Sequence, residues 1–305
     1  MMHNLSLPLR QDYNEETRRL LRKTSAVPSL IKWTGSKRSQ ASAIVGLMPS
    51  YRRYVEPFVG GGAVLYAAAS PGSVASDVYR PLIELWQLVQ HSPQLVVENY
   101  REQWKAVKDE LDGLDLNNLP PGTSLPAYFY QTRDRFNRER NPLDLNFIMR
   151  TCVNGIVRFN DKGAFNNSFH LSRRGMTPDR FEKVVLAWHP VIQGVEFICQ
   201  DYAETLARVE AGDFVYLDPP YAGNNQRYAA DLDLARFFEE LAGLNRKGVK
   251  WALSFDGTRG EQMLIHDVPK ALYKRHKMLS SGLSAVHKVL NGPVEKVEES
   301  LYLNY

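Results

Sequence analysis

Asp213-Phe214-Val215-Tyr216-Leu217-Asp218-Pro219-Pro220-Tyr221 joins a short apolar run, Phe214 to Leu217, to a double proline. β-Branched and aromatic residues behind Gly212 predict a buried strand, and the prolines end it abruptly because neither carries an N–H. Pro219 also biases Asp218 towards an extended backbone. The strand therefore ends in a carboxylate, two backbone carbonyls and an aromatic ring held in a stiff corner. Such a corner suits an exocyclic aromatic amine that must attack an electrophile. The lone pair of that amine is delocalised into its ring, so the amine needs acceptors for its protons while the lone pair rehybridises. Asp218 and the Pro219 carbonyl are acceptors only, and Tyr221 can stack on a base swung out of its helix. The plainer alternative is an ordinary strand-to-turn junction.

Earlier in the chain, Tyr54-Val55-Glu56-Pro57-Phe58-Val59-Gly60-Gly61-Gly62-Ala63-Val64-Leu65 reads as strand, glycine-rich turn and helix. Such a turn brings a ligand close to backbone at a helix N-terminus. Val74-Ala75-Ser76-Asp77 is a second short strand, ending in an acid 17 positions after Gly60. In nucleotide-binding folds an acid there grips ribose hydroxyls, so loop and acid together point to an adenosine-bearing cofactor. Ahead of both, Leu30-Ile31-Lys32-Trp33-Thr34-Gly35-Ser36-Lys37 begins like a strand, turns at glycine and leads into a helix from Ser39 towards Leu47. It lacks the second glycine directly before lysine that a phosphate loop requires. A cation at that helix start can hold a small carboxylate instead.

The 305 residues, 44% hydrophobic, can bury a substantial core. No apolar run approaches the ~18 residues of a membrane span, and no signal-peptide pattern opens the sequence, so a soluble, cytoplasmic protein is expected. The two cysteines, Cys152 and Cys199, have neither metal-ligand spacing nor a disulfide framework, and no metal is expected. Net charge is +4, yet Tyr128 to Lys183 alone holds eleven Lys/Arg against six Asp/Glu. Arginines interleave with aromatics there (Arg133, Arg135, Phe136, Arg138, Arg158, Phe159, Phe165), a pattern that leans towards phosphate contacts rather than a merely solvated face.

Residues 1–29 form an extension, with a helix expected from Asn14 to Lys23. Residues 30–80 and 190–305 carry the strand–helix alternation of an α/β domain: beyond Asp77 come strands at Val195–Cys199, Phe214–Leu217, Val249–Phe255 and Glu298–Tyr305, and helices at Tyr202–Glu210 and Leu234–Leu244. Residues 81–189 read as an inserted, mostly helical domain. Its helices are expected at Leu82–Val89, Gln94–Leu111, Ala127–Arg138 and Leu143–Val153, with a loop at Asn117–Pro126. Asn154 to Phe165 reads as a β-hairpin turning at Asn160–Gly163.

In these residues the chain resembles the Dam-type DNA adenine-N6 methyltransferases. The matching pieces are Lys32 to Lys37, Val55 to Gly62, Ser76-Asp77, Asn154 to Asn160 with Lys162 to Asn166, and Asp218-Pro219-Pro220-Tyr221, in the order of the family's α group. The resemblance implies a Rossmann-like class I methyltransferase domain carrying an inserted recognition domain. It implies S-adenosyl-L-methionine as methyl donor, with S-adenosyl-L-homocysteine as product. Cofactor roles then fall to Trp33, Gly35 and Lys37 at the methionine end, to Glu56, Phe58, Gly60 and Gly62 in the loop, to Asp77 on the ribose, and to Gln200 and Asp201 near the adenine. Asp218 bridges cofactor and target amine, with Pro219, Pro220 and Tyr221 completing the catalytic set. Double-stranded DNA is the implied partner, read by Asn154, Ile156, Arg158 and Asn160 and contacted by Lys162, Arg173 and Arg174. Arg158 suits a guanine edge, which it can bind in bidentate fashion. Cytoplasmic location in a bacterium or phage, action as a monomer on DNA and a cognate restriction endonuclease also fit the resemblance.

The chain departs from the family at Ser168-Phe169-His170-Leu171, where relatives often carry Pro then Phe-Gly and a basic residue, and at Val153, where some carry an aromatic. The target therefore stays open between GATC, another short site and relaxed specificity. Cytosine-N4 methylation is the nearest rival, although Asp218 stands where those enzymes usually have Ser or Asn. RNA methylation and a catalytically inactive nucleic-acid-binding subunit are further alternatives. Cytosine-C5 methylation needs an activated cysteine, and neither cysteine follows a proline.

Overall fold

A computed structural model describes residues 27–112, 114, 125–220, 232–259, 262–264, 268–283 and 296–305. The expected helix at Asn14–Lys23, most of the loop before Pro126 and Tyr221 lie outside these residues. Strands β1 (Arg53–Glu56), β2 (Val74–Asp77), β3 (Glu196–Cys199), β4 (Asp213–Leu217) and β5 (Lys250–Arg259) pair in parallel, in the order β3-β2-β1-β4-β5. Strand β6 (Gln262–Leu264) pairs antiparallel with β5, and β8 (Lys296–Leu303) runs antiparallel between β5 and β7 (Arg275–Leu283). This is the Rossmann-like arrangement that the resemblance implies, with an antiparallel edge formed by β7 and β8.

All five residues of β4 are buried, because its alternation serves two cores at once. Phe214 and Tyr216 enter one apolar cluster, and Val215 and Leu217 the other. The first cluster is covered by α1 (Ala41–Leu47), α2 (Ala63–Ala68) and α3 (Arg80–His91). The second is covered by α8 (Tyr202–Ala207) and α9 (Leu234–Arg246). Side-chain oxygens start both of these last helices: Asp201 accepts from Ala203 N and Asp233 from Arg236 N.

The inserted block contributes α4 (Pro93–Leu111), α5 (Ala127–Glu139), α6 (Pro142–Thr151) and α7 (Pro178–Trp188). Helix α3, although it falls within the 81–189 block, packs on β2 and β3, and the first cluster runs without a break from the sheet into these helices. Arg150 of α6 ties the block to the segment before Trp33. Its guanidinium is buried, donates to the Ser29 carbonyl at 2.8 Å and to that of Leu30, and lies 4.4 Å from the Phe181 ring centroid. Burial lowers its pKa to about 10.

Three expected elements differ. Residues 30–33 form no strand; Leu30 and Ile31 are buried, but the chain bends and turns there, with Gly35 at φ +82°. Helix α6 stops at Thr151, after which Val153–Gly155 make one 3-10 turn with Asn154 at φ +55°. The expected hairpin exists as a turn with single bridges, Phe159 to Phe165 and Cys152 to Phe169, rather than as two continuous strands. Its tip is closed as expected: Gly163 N donates to the Asn160 carbonyl at 2.8 Å, and the Asn160 side chain accepts from Lys162 N and Ala164 N.

Candidate active site

Strands β1, β2 and β4 end at one edge of the sheet, carrying Glu56, Asp77 and, one residue past β4, Asp218. Strand order reverses between β1 and β4, the switch point at which open α/β sheets leave a crevice. A cleft of about 880 Å³ opens there. Its walls include Trp33, Gly35, Lys37, Glu56, Phe58, Gly60, Gly62, Asp77, Asp201, Asp218, Pro219 and Pro220, residues taken from five separate stretches of sequence.

The glycine turn is shaped by what surrounds it. Gly60 and Gly62 adopt φ +43° and +63°, and a Cβ on Gly60 would meet Trp33 Cδ1 at 2.8 Å. A Cβ on Gly62 would meet Trp86 Cζ2 at 2.8 Å. Trp86 also donates from Nε1 to the Gly60 carbonyl, and Val59 N donates to the Ser76 carbonyl, so α3 and β2 both hold the turn. Asp77 accepts from Gly60 N at 3.3 Å and Tyr79 N at 3.0 Å. Burial raises its pKa to about 6, against the pull of these backbone donors.

Around Asp218 the charges are close. Lys37, only 4% exposed, places Nζ 2.8 Å from Asp218 Oδ1, 3.7 Å from Glu299 Oε2 and 3.1 Å from the Gly35 carbonyl. Burial raises the Asp218 pKa to about 6 although Lys37 opposes the shift. Glu56 accepts from the Tyr54 hydroxyl at 2.7 Å, and burial raises its pKa well above the carboxylate range. Beneath the corner, the Tyr216 and Ser254 hydroxyls are bonded at 2.8 Å. The lysine expected at the methionine end thus lies against the carboxylate of the amine-accepting corner.

Other anticipated residues lie elsewhere. The Gln200 side chain donates to Thr205 Oγ1 at 2.7 Å and does not line the cleft, whereas its neighbour Asp201 does, while accepting from Arg236 at 2.9 Å. Of the hairpin residues, Asn160 lines the cleft, together with Phe159, Asp161 and Gly163. Asn154 and Arg158 are exposed and Ile156 is half-buried; Arg158 donates to the Asn166 side chain and carbonyl at 2.8 and 3.3 Å. Lys162 and Arg173 are exposed, and Arg174 reaches Asp112 at 3.5 Å.

Sequence reading missed Glu299 and Tyr79. Tyr79 lines the cleft with its ring centroid 5.9 Å from that of Trp33 and 5.5 Å from that of Phe159. Phe159 falls within the Asn154–Asn160 stretch and among the interleaved aromatics, but the sequence assigns it no site role. Among the described residues no group of acids, histidines and cysteines could hold a metal ion, and no helix is long and apolar enough to cross a membrane.

Residues 33–280 match the family model for D12 class N6 adenine-specific DNA methyltransferase. The type II methyltransferase M.MjaIII of Methanocaldococcus jannaschii is 29% identical over 258 residues, covering 75% of this chain and 84% of that protein. The DNA adenine methylase of Vibrio cholerae is 29% identical over 273 residues, covering 86% of this chain and 93% of that protein. A DNA N-6-adenine-methyltransferase of Escherichia phage P1 is 26% identical over 252 residues, covering 78% of this chain and 31% of that protein.

Proposed function

The chain belongs to the D12 class N6 adenine-specific DNA methyltransferases, and from that membership we propose that it methylates N6 of an adenine swung out of duplex DNA, using S-adenosyl-L-methionine. The observation that carries the reading is the corner itself: an acceptor carboxylate, Asp218, at the mouth of a cleft that also holds the Gly60–Gly62 turn and Asp77. The donor set suits the cofactor. The glycine turn lines the cleft with backbone, Asp77 can accept from ribose hydroxyls, and Trp33 and Phe58 offer aromatic faces. Bound there, S-adenosyl-L-methionine supplies an electrophilic methyl group on a sulfonium centre.

The chain's own residues do the rest. Asp218 accepts a hydrogen bond from the target amine and draws its lone pair out of conjugation, with the Pro219 carbonyl as second acceptor. Held by the Gly60–Gly62 turn and Asp77, the cofactor would supply the methyl carbon that N6 takes up, and its sulfur would keep the electron pair of the broken carbon–sulfur bond. The cationic nitrogen then loses one proton, for which Asp218 is the nearest acceptor. No nucleophilic side chain is required, because the substrate nitrogen is itself the nucleophile. Tyr221 is assigned the stacking contact with the displaced base.

Asp218 accepts on both oxygens and carries its charge only when ionised; protonated, it holds a donor instead, and burial raises its pKa to about 6. Methyl transfer in a single turnover should therefore hold steady from pH 8 towards 6.5. Below about 6 it should fall roughly tenfold per pH unit, as Asp218 takes up a proton. Rates measured on one unmethylated duplex across that range test this; a rate unchanged down to pH 5 would remove Asp218 from the role.

For DNA we propose that the 154–165 turn reads the major groove of a short site, GATC or another, through Arg158, whose guanidinium is held at the surface by Asn166. Arg158→Ala should weaken discrimination at one base pair by about 1 to 3 kcal/mol, read as methylation rates on single-substitution duplexes. Equal losses on every duplex would make Arg158 a phosphate contact instead.

A further inference from the structure

Glu299 stands on β8, far from every motif that the family reading uses, yet it faces Lys37. Its side chain is 18% exposed, and its Oε2 accepts no hydrogen bond among the described residues. A lysine has three donors and no acceptor. Lys37 directs one to Asp218 and one to the Gly35 carbonyl, and its 3.7 Å to Glu299 is an ion-pair distance too long for a good hydrogen bond. Two carboxylates thus share one ammonium group.

We infer that Glu299 is a positioning residue for methyl transfer, which draws on Lys37 in competition with Asp218, so that these three groups together carry a net negative charge. The inference rests on the reading of Asp218 as the amine's acceptor. If Lys37 belonged to Asp218 alone, the pair would be neutral and Asp218 would already be satisfied. With Glu299 present, Asp218 keeps acceptor strength for the amine, and the surplus negative charge favours the positive charge that N6 gains as its new bond forms. Four groups from separate elements surround Asp218: Lys37 ahead of α1, Glu56 on β1, Tyr216 on β4 and Glu299 on β8. Burial pushes the Glu56 carboxyl's pKa well up, and that carboxyl accepts from the Tyr54 hydroxyl.

The test is Glu299→Gln in the full chain, beside Glu299→Asp, with single-turnover methyl transfer to an unmethylated duplex followed from pH 5 to 8. Removing the charge should slow the plateau about tenfold and move the acid midpoint to lower pH, since a neighbouring carboxylate no longer opposes ionisation of Asp218. Glu299→Asp, which keeps the charge, should hold its midpoint close to that of the parent. Titrated S-adenosyl-L-methionine and duplex should bind both variants as they bind the parent. An unmoved or upward-moving midpoint in Glu299→Gln would overturn the inference, as would an equal shift in Glu299→Asp, which would assign the effect to packing. If the parent itself shows no acid midpoint near 6, the acceptor reading of Asp218 fails first, and that outcome is distinct from the others.

Discussion

Asp218→Ala should abolish methyl transfer, lowering the single-turnover rate by about a thousandfold or more while duplex DNA still binds. The size follows from what the side chain does. The amine's lone pair is tied into the purine ring, and the proposed function gives Asp218 the task of drawing it out. Removing it also takes from Lys37 a carboxylate partner at 2.8 Å, while Glu299 and the Gly35 carbonyl stay beside it. A cation left beside the nitrogen that is becoming positive adds to the loss. The measurement is single-turnover transfer together with DNA affinity by anisotropy. Turnover within tenfold of the parent would remove Asp218 from the chemistry, and a parallel loss of DNA binding would point to misfolding.

Trp86→Ala should cost about 3 to 5 kcal/mol of stability, a large share of the roughly 5 to 15 kcal/mol that holds a typical domain together. Trp86 is fully buried, stacked on Phe197 with centroids 5.5 Å apart and packed against Trp188 at 4.9 Å. Its indole N–H holds the Gly60 carbonyl at 3.1 Å, and its ring lies beneath Gly62. The loss therefore reaches the cleft as well as the core. Urea unfolding reads the first effect and titration with S-adenosyl-L-methionine the second. Trp86→Phe separates them, because it keeps most of the packing but not the donor. It should cost about 1 kcal/mol and still weaken the cofactor. Unchanged cofactor affinity in Trp86→Phe would mean that the turn keeps its shape without the indole.

The parts of this site that were legible in the sequence are those built locally. Val55 to Gly62, Val74 to Asp77 and Phe214 to Pro220 each announce a strand and its abrupt end through neighbouring residues, and the structure brings the three ends to one edge. What stayed hidden depends on pairing between distant stretches. Glu299 reaches Lys37 because β8 inserts antiparallel between β5 and β7, and no local pattern marks which residue of that strand meets Lys37. Strand β7 itself, Arg275-His276-Lys277-Met278-Leu279, carries its charges on exposed positions of an edge and reads as solvated chain. Gln200 shows a similar limit: its position beside Asp201 was plain, but Thr205 one helical turn on captures its side chain. The hairpin was legible at its turn, where Asn160 and Gly163 are spaced to close it, and less so in its flanks, which make single bridges.

Transfer of labelled methyl groups from S-adenosyl-L-methionine to unmethylated duplex DNA, followed by digestion to nucleosides, tests the central claim most directly. The account predicts that the label appears as N6-methyladenine, and that it disappears in Asp218→Ala. Label in N4-methylcytosine, or label that persists in Asp218→Ala, would contradict it.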